Sequence, residues 1–251
     1  MLRLLGHDLR WAIVRLLAPG DLRVWELVNL TGQAPSLVSY HLSQLRSAGL
    51  VDVRRSAADG RDSYYALDLD AVGDAVRAVA RGIHPGLSAP HPGDALPGRP
   101  ARPARVLFIC TGNSSRSQMA EGWLRHLGGR GVAAFSAGTA PTSMHPLAVA
   151  AMKEFGVDIS NQKVKGLGPY TGESFDRVIT LCDRAREACP ELPAALHWSV
   201  PNPAEAHPAD RDAFRSTAKE LQTRVRYLLP LVSMLGDAAQ QVLRAQPTPR
   251  R

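Results

Sequence analysis

Residues 82–105 read GIHPGLSAPHPGDALPGRPARPAR, with six prolines and four glycines in one run. Proline fixes its own φ and donates no backbone hydrogen bond, so such a run neither continues a helix nor joins a sheet interior. It reads as an extended, semi-stiff linker over 82–104, because Arg105 already belongs to the apolar segment that follows. The 251 residues therefore divide into a first unit at 1–81 and a second at 105–237, each large enough to bury its own core. Residues 238–251, ending QPTPRR, read as a flexible tail.

Composition narrows the class. Hydrophobic residues make up 45% and charged residues 21%, as in ordinary globular protein. No stretch approaches the roughly 20 apolar residues of a membrane span. The N-terminal MLRLLGHDLRWAIVRLLAP interrupts its apolar pattern with Arg3, Asp8 and Arg10, so it reads as an amphipathic helix and not a signal peptide. A cytoplasmic location is expected. The net charge of +7 suits a nucleic-acid or oxyanion partner, although on charge alone an Arg-rich solvated surface is the favoured reading. Residues 1–81 hold ten Lys or Arg against nine Asp or Glu, so any basic footprint there is local. The three cysteines, 110, 182 and 189, all fall in the second unit. An odd count offers no complete disulfide framework.

In the first unit, helical periodicity covers 3–17 and 24–31. A turn at Gly32-Gln33-Ala34 leads into PSLVSYHLSQLRSAG. Pro35 suits a first helical position and Gly49 a C-terminal cap. Leu37, Val38, Leu42 and Leu45 are taken as the buried face. Ser36, Ser39, Tyr40, Ser43 and Gln44 are left on the other. LVDVRRSAADGRDSYYALD then supplies two alternating strands joined at Ala58-Asp59-Gly60. Two helices about a short turn, then a basic hairpin, is the order of a winged helix-turn-helix DNA-binding domain, mostly α with a β-hairpin wing.

The second unit alternates apolar segments at 105–109, 132–137, 177–181 and 195–200 with helical patterns near 116–127, 145–155, 183–188 and 211–235. That rhythm predicts an α/β fold with a parallel four-stranded sheet covered on both faces. Cys110-Thr111-Gly112-Asn113-Ser114-Ser115-Arg116-Ser117 leaves the first strand and opens the first helix. A thiolate there is stabilised by the helix dipole and by free backbone amides. Five intervening residues can wrap amides around a tetrahedral oxyanion, and Arg116 adds a bidentate clamp. A buried cysteine beside a helix cap is the plainer alternative. Cys182 and Cys189 bracket LCDRAREACP. Seven helical residues separate them by about 10.5 Å, whereas a disulfide needs Cα atoms roughly 4.4–6.8 Å apart. They pair only if that helix unwinds; otherwise they are two unrelated structural thiols. No metal site is expected, since no nearby His or Cys pair completes one.

Together CTGNSSRSQMAEGW, SAGT, HPLAVAAMKEFGVDIS and VITLC-x6-CP resemble the thioredoxin-coupled arsenate reductases of the low-molecular-weight protein tyrosine phosphatase fold, over about residues 105–230. The resemblance implies that Cys110 attacks arsenate while Arg116 and the loop amides hold the oxyanion. Cys182 then attacks the Cys110–arsenic adduct, releasing arsenite and leaving a Cys110–Cys182 disulfide. Cys189 attacks Cys182 in turn, and thioredoxin or a similar dithiol reduces the exported Cys182–Cys189 disulfide. No tightly bound cofactor is implied.

Three positions depart from the family pattern. Asn202, before Pro203, stands where an aspartate supports proton transfer, and an amide is no general acid or base near neutral pH; Glu205 is a candidate substitute. Asn113, Glu121 and Ser136 match the potassium-holding positions of many members, but Lys165 replaces the remaining carboxylate, so its ammonium is expected in place of potassium. Ser115 replaces a loop cysteine outside the relay.

The first unit resembles the ArsR-type winged-helix repressors over about 1–75. This implies a homodimer on a double-stranded DNA operator, with Ser36, Ser39, Tyr40, His41 and Gln44 as candidate base or phosphate contacts. Arg46, Arg54, Arg55 and Arg61 are candidates for phosphates. The plainer alternatives are that Tyr40 and His41 pack and that the arginines form a solvated hairpin. Lacking cysteine, this unit cannot capture arsenite through thiols. The leading expectation is an arsenate reductase joined to a DNA-binding regulator. The alternatives are a repressor whose second unit only senses arsenite or an oxyanion, and a tyrosine phosphatase with a DNA-binding appendage.

Overall fold

The computed structural model describes residues 2–58, 60–83, 102–189, 195–206 and 210–244, with side chains of the last helix described as far as Val232. Most of the segment read as a linker, 84–101, lies outside the described residues, as does the tail at 245–251.

The first unit begins with α1 (Leu2–Leu5) and α2 (Asp8–Leu17). The expected single helix over 3–17 is broken at Gly6 and His7, where the His7 imidazole accepts from the Leu9 amide as an N-terminal cap. A two-residue strand, β1 (Leu22–Arg23), leads into α3 (Val24–Thr31). Gly32, at φ 65°, ends that helix in the left-handed region. The second helix of the pair, α4, runs Pro35–Ser47. It closes as expected at Gly49 (φ 69°): the Gly49 amide bonds to Arg46 O and the Leu50 amide to Leu45 O, so two terminal carbonyls are satisfied.

The buried stripe of α4 is Val38, His41, Leu42 and Leu45. Leu37 is 40% exposed, which reverses its expected burial, and His41, only 3% exposed, takes the packing alternative. Positions 38, 41, 42 and 45 follow i, i+3, i+4, i+7, and Leu37 falls off that line. Val38, Leu42 and Leu45 pack with Leu9, Ile13, Val14, Leu17, Leu27, Leu50 and Val51 as one core. Strands β2 (Val51–Arg55) and β3 (Ser63–Leu67) form an antiparallel hairpin, and β1 joins the other edge of β3. A helix not foreseen, α5 (Leu69–Ile83), follows.

The second unit contains a four-stranded parallel sheet in the order β5-β4-β6-β7: β5 Val132–Gly138, β4 Ala104–Cys110, β6 Arg177–Thr180 and β7 Leu196–His197. Its helices are α6 (Arg116–Gly128), α7 (Pro146–Glu154), α8 (Asp183–Ala188) and α9 (Arg211–Arg244). The backbone of α9 passes the expected tail boundary at 238, so residues 238–244 are helical. Strand β7 is shorter than the expected 195–200; beyond it the Trp198 indole and the Ser199 backbone bond to the first unit. The core joins Val106, Phe108 and Ile109 of β4 with Met119 and Trp123 of α6 and Phe214, Leu221 and Val225 of α9. Among the described residues, no helix is long and apolar enough to cross a membrane.

The two units are docked. Asp21, 2% exposed, accepts two hydrogen bonds from Arg224 (2.8 and 3.0 Å) and one from the Ser199 amide (2.7 Å). Its own amide donates to His197 O at 2.7 Å, and the Trp198 indole donates to Pro19 O. Gly20 is obligatory here, since a Cβ would sit 2.8 Å from His197 O. Arg54 of the hairpin bonds Glu220 at 2.8 and 3.1 Å and Ser199 O at 2.8 Å. This contact surface joins the units directly.

Candidate active site

Cys110 is the last residue of β4, and Thr111–Ser115 form the loop into α6. The loop closes because its carbonyls are used on the outside. Cys110, Thr111, Gly112 and Ser114 O accept from the amides of Thr139, Ala140, Thr142 and His145, and Asn113 O accepts from Gln118. The groups left for the concave side are amides, which is what an anion-binding nest requires.

Asn113 is the centre of the loop. It is the only non-glycine residue with positive φ (47°) among the described residues, and it is fully buried. Its Nδ2 donates to Ser117 and Ser136 hydroxyls at 2.9 and 2.8 Å, while Oδ1 accepts from Gln118 and from the Lys165 amide. An asparagine tolerates the left-handed region better than most residues, and these four bonds hold it there. Gly138 is equally constrained: a Cβ would meet Thr111 O at 2.7 Å.

The Cys110 thiol lies in hydrogen-bond range of Ser117 Oγ (3.0 Å) and accepts from the Asn113 amide (3.2 Å). Arg116 is 8% exposed; its Nη1 donates to Val200 O at 2.9 Å, and its buried Nε has no partner in the protein. A cavity of about 210 Å³ is lined by Cys110, Thr111, Gly112, Ser114, Ser115, Arg116, Cys182 and Asn202. Cys182 reaches it because β4 and β6 are neighbours with Ile109 opposite Thr180, so both strands end at the same edge. Its thiol is 3.4 Å from the Thr111 hydroxyl. Cys189, also buried, is at the far end of α8.

Asn202 accepts from the Ala204 amide at 3.3 Å, capping a short turn at the cavity edge. Glu205 lines the same cavity, 3.5 Å from Arg184. Lys165 Nζ lies 3.5 Å from Glu121 and donates to Lys163 O at 3.0 Å. Glu121 thus faces an ammonium, and the Asn113 and Ser136 oxygens already accept hydrogen bonds within the protein, so the donor set does not fit potassium. Among the described residues no three His, Cys, Asp or Glu side chains gather as a metal site.

Sequence reasoning missed a buried chain of polar groups under α8. Thr180 donates to His197 Nδ1 (2.8 Å), and His197 Nε2 donates to Asp183 (3.0 Å). Burial pushes the imidazole below its ordinary pKa, which favours this neutral form. Burial also opposes ionisation of Asp183, but hydrogen bonds from His197, the Ala57 amide and Ser199 outweigh it and hold the carboxyl below its usual range. Ala57 belongs to the hairpin turn of the first unit and lines the cavity beside Cys110. No alternation in ALHWSV marked it, because His197, Trp198, Ser199 and Val200 are all buried in succession.

The sequence model described as low molecular weight phosphotyrosine protein phosphatase matches residues 105–242, more than half of the chain. The chain belongs to this family. Residues 7–53 match the family described as bacterial regulatory protein, arsR family. The arsenate reductase of Halalkalibacterium halodurans is 39% identical over 127 residues, covering 48% of this chain and 91% of that protein. The arsenate reductase of Bacillus subtilis is 38% identical over 127 residues with the same coverage. A solved structure titled "An arsenate reductase in the phosphate binding state" is 32% identical, covers 51% of this chain and 98% of that one, and superposes with a TM-score of 0.47.

Of the candidate DNA contacts, Ser36, Ser39, Tyr40, Gln44, Arg46, Arg55 and Arg61 are exposed. Two are corrected. His41 packs inward against His7, ring centroids 4.2 Å apart, with Arg10 at its Nδ1. Arg54 is committed to Glu220 and Ser199, because burying the hairpin against α9 requires its charge to be paired.

Proposed function

We propose that this chain joins operator binding by residues 1–81 to thiol-dependent reduction of arsenate to arsenite by residues 105–237. The observation that carries the enzymatic reading is the orphaned Arg116 Nε, buried at a cavity that also holds the Cys110 thiol. A buried guanidinium donor without a partner is costly unless an anion completes it. Cys110 as thiolate displaces an arsenate oxygen as water, forming a sulfur–arsenic bond. The Cys182 thiolate attacks Cys110 Sγ; the sulfur–arsenic electron pair stays on arsenic, which leaves as arsenite. Cys189 then displaces Cys110 from Cys182, and thioredoxin or a similar dithiol reduces the Cys182–Cys189 disulfide.

Thr111 to Ser117 hold the oxyanion through amides and hydroxyls. The family relation and the arsenate reductases of Halalkalibacterium halodurans and Bacillus subtilis support this reading. Asn202 favours a second one, in which the same cavity binds an oxyanion without turnover. Arsenate-dependent NADPH consumption with thioredoxin and thioredoxin reductase separates them, beside Cys110→Ser, Cys182→Ser and Cys189→Ser. Turnover requiring all three thiols supports the reductase; none from folded, reduced protein leaves the sensor.

For the first unit, Ser36, Ser39, Tyr40 and Gln44 of α4 enter the major groove, and Arg46, Arg55 and Arg61 meet phosphates, with the hairpin as wing. The match to the arsR family supports this. Exposed Trp11, Val76 and Ile83 suit a homodimer contact that spaces two recognition helices by about 34 Å.

A further inference from the structure

We propose that α8 is a redox-operated latch: it holds the hairpin turn and α3 against the catalytic unit while Cys182 and Cys189 are thiols, and lets go when they form a disulfide. This rests on the relay reading above. Asp183 and Arg186 are three residues apart and share one face of α8. Asp183 Oδ2 accepts from the Ala57 amide at 2.6 Å. Arg186 pairs with Glu26 of α3, reaches Asp21 O at 3.5 Å, and lies over the Tyr64 ring at 5.3 Å. The Tyr64 ring in turn packs on His197, centroids 4.5 Å apart, and His197 holds the other oxygen of Asp183.

Both grips therefore depend on the helical turn between the two cysteines. Cys182 is the residue before α8 and Cys189 the residue after it. The helix spaces them about 10.5 Å apart, and the disulfide requires roughly 4.4–6.8 Å, so forming the bond dismantles the turn. Asp183 and Arg186 then no longer present one face to the first unit. By linkage, docking in turn favours the dithiol. The pairs Asp21–Arg224 and Arg54–Glu220 are made to α9, so they stay as the pivot while the hairpin turn and α3 swing free. The oxidation state of the relay is thereby felt by the DNA-binding unit.

The test uses the full chain carrying Cys110→Ser, equilibrated with reduced or oxidised glutathione, in which only Cys182 and Cys189 can form the intramolecular bond. Cys182–Cys189 disulfide formation is verified by mass spectrometry, and amide hydrogen exchange is read in both states. With the disulfide present, exchange at Ala57 should rise by roughly tenfold or more, the loss of one hydrogen bond to a charged group. The residue 21 amide keeps its protection. Glu26→Gln should shift the glutathione equilibrium toward the disulfide. A verified disulfide with unchanged Ala57 exchange overturns the latch and leaves the relay standing. Failure of Cys182 and Cys189 to form a disulfide overturns both.

Discussion

Asp21→Asn tests whether the two units are held together by a buried charge pair. The wild-type carboxylate receives three hydrogen bonds, two from Arg224 and one from the Ser199 amide. An amide of the same shape has no charge, and one of its two ends becomes a donor facing donors. Breaking a buried pair from one side costs about 3–5 kcal/mol. Arg224 retains Glu220 at 3.1 Å, which places the cost at the low end, about 3 kcal/mol, or roughly two orders of magnitude in the opening equilibrium. Native-state hydrogen exchange at the amides of residues 21 and 199 reads that equilibrium directly, because both are bonded across the interface. A double-mutant cycle with Arg224→Met should give a coupling of about 2 kcal/mol. Unchanged exchange, or a coupling under about 0.5 kcal/mol, would refute the charge-pair account and assign docking to the apolar and backbone contacts.

Asn202→Asp places a carboxylate at the cavity edge and should raise arsenate turnover by about 100-fold or more; an unchanged kcat would show that proton transfer is handled elsewhere. Lys165→Ala removes the ammonium beside Glu121. The variant's urea midpoint should become sensitive to potassium against sodium while that of the parent stays indifferent, and equal midpoints in both salts would remove Lys165 from that role. Acid should loosen docking. The folded His197 titrates below its ordinary 6.5, so its contribution is full above that pH and is lost as the pH falls from there through the lower folded value; Asp183, also depressed, adds a loss at lower pH. Asp21, Arg186 and Tyr64 surround the imidazole. Tryptophan fluorescence between pH 8 and 5 should report this (roughly the range in which histidine titrates), with a step on the acid side of 6.5 that is reduced in His197→Gln.

The catalytic loop was legible because its chemistry fixes residue types at fixed spacing: a thiol ending a strand, five residues of nest, an arginine opening a helix. Its bracing was only partly legible. Asn113 was singled out as a loop residue, but nothing local shows that one side chain ties Ser117, Ser136, Gln118 and Lys165 together. On the buried stripe of α4 apolarity and period disagree: Leu37 is more apolar than His41, yet the period places His41 inside and Leu37 outside. The docking surface was invisible for a different reason. Asp21, Arg54, Glu220 and Arg224 are residues that ordinarily stay in water, and no local pattern says which of them will be paired with partners more than 160 positions away.

Gly20 sets a rule for any lineage that carries this pair of units. The two backbones touch there without a side chain between them, so the joint is specified by the course of the main chain as well as by the paired side chains around it. The charged pairs could be exchanged for other matched pairs, whereas a single added methyl group would wedge the seam open. A catalytic unit transplanted from a free-standing reductase would inherit the nest and the thiols, yet seat against this partner only if its own stretch equivalent to His197–Ser199 followed the same path.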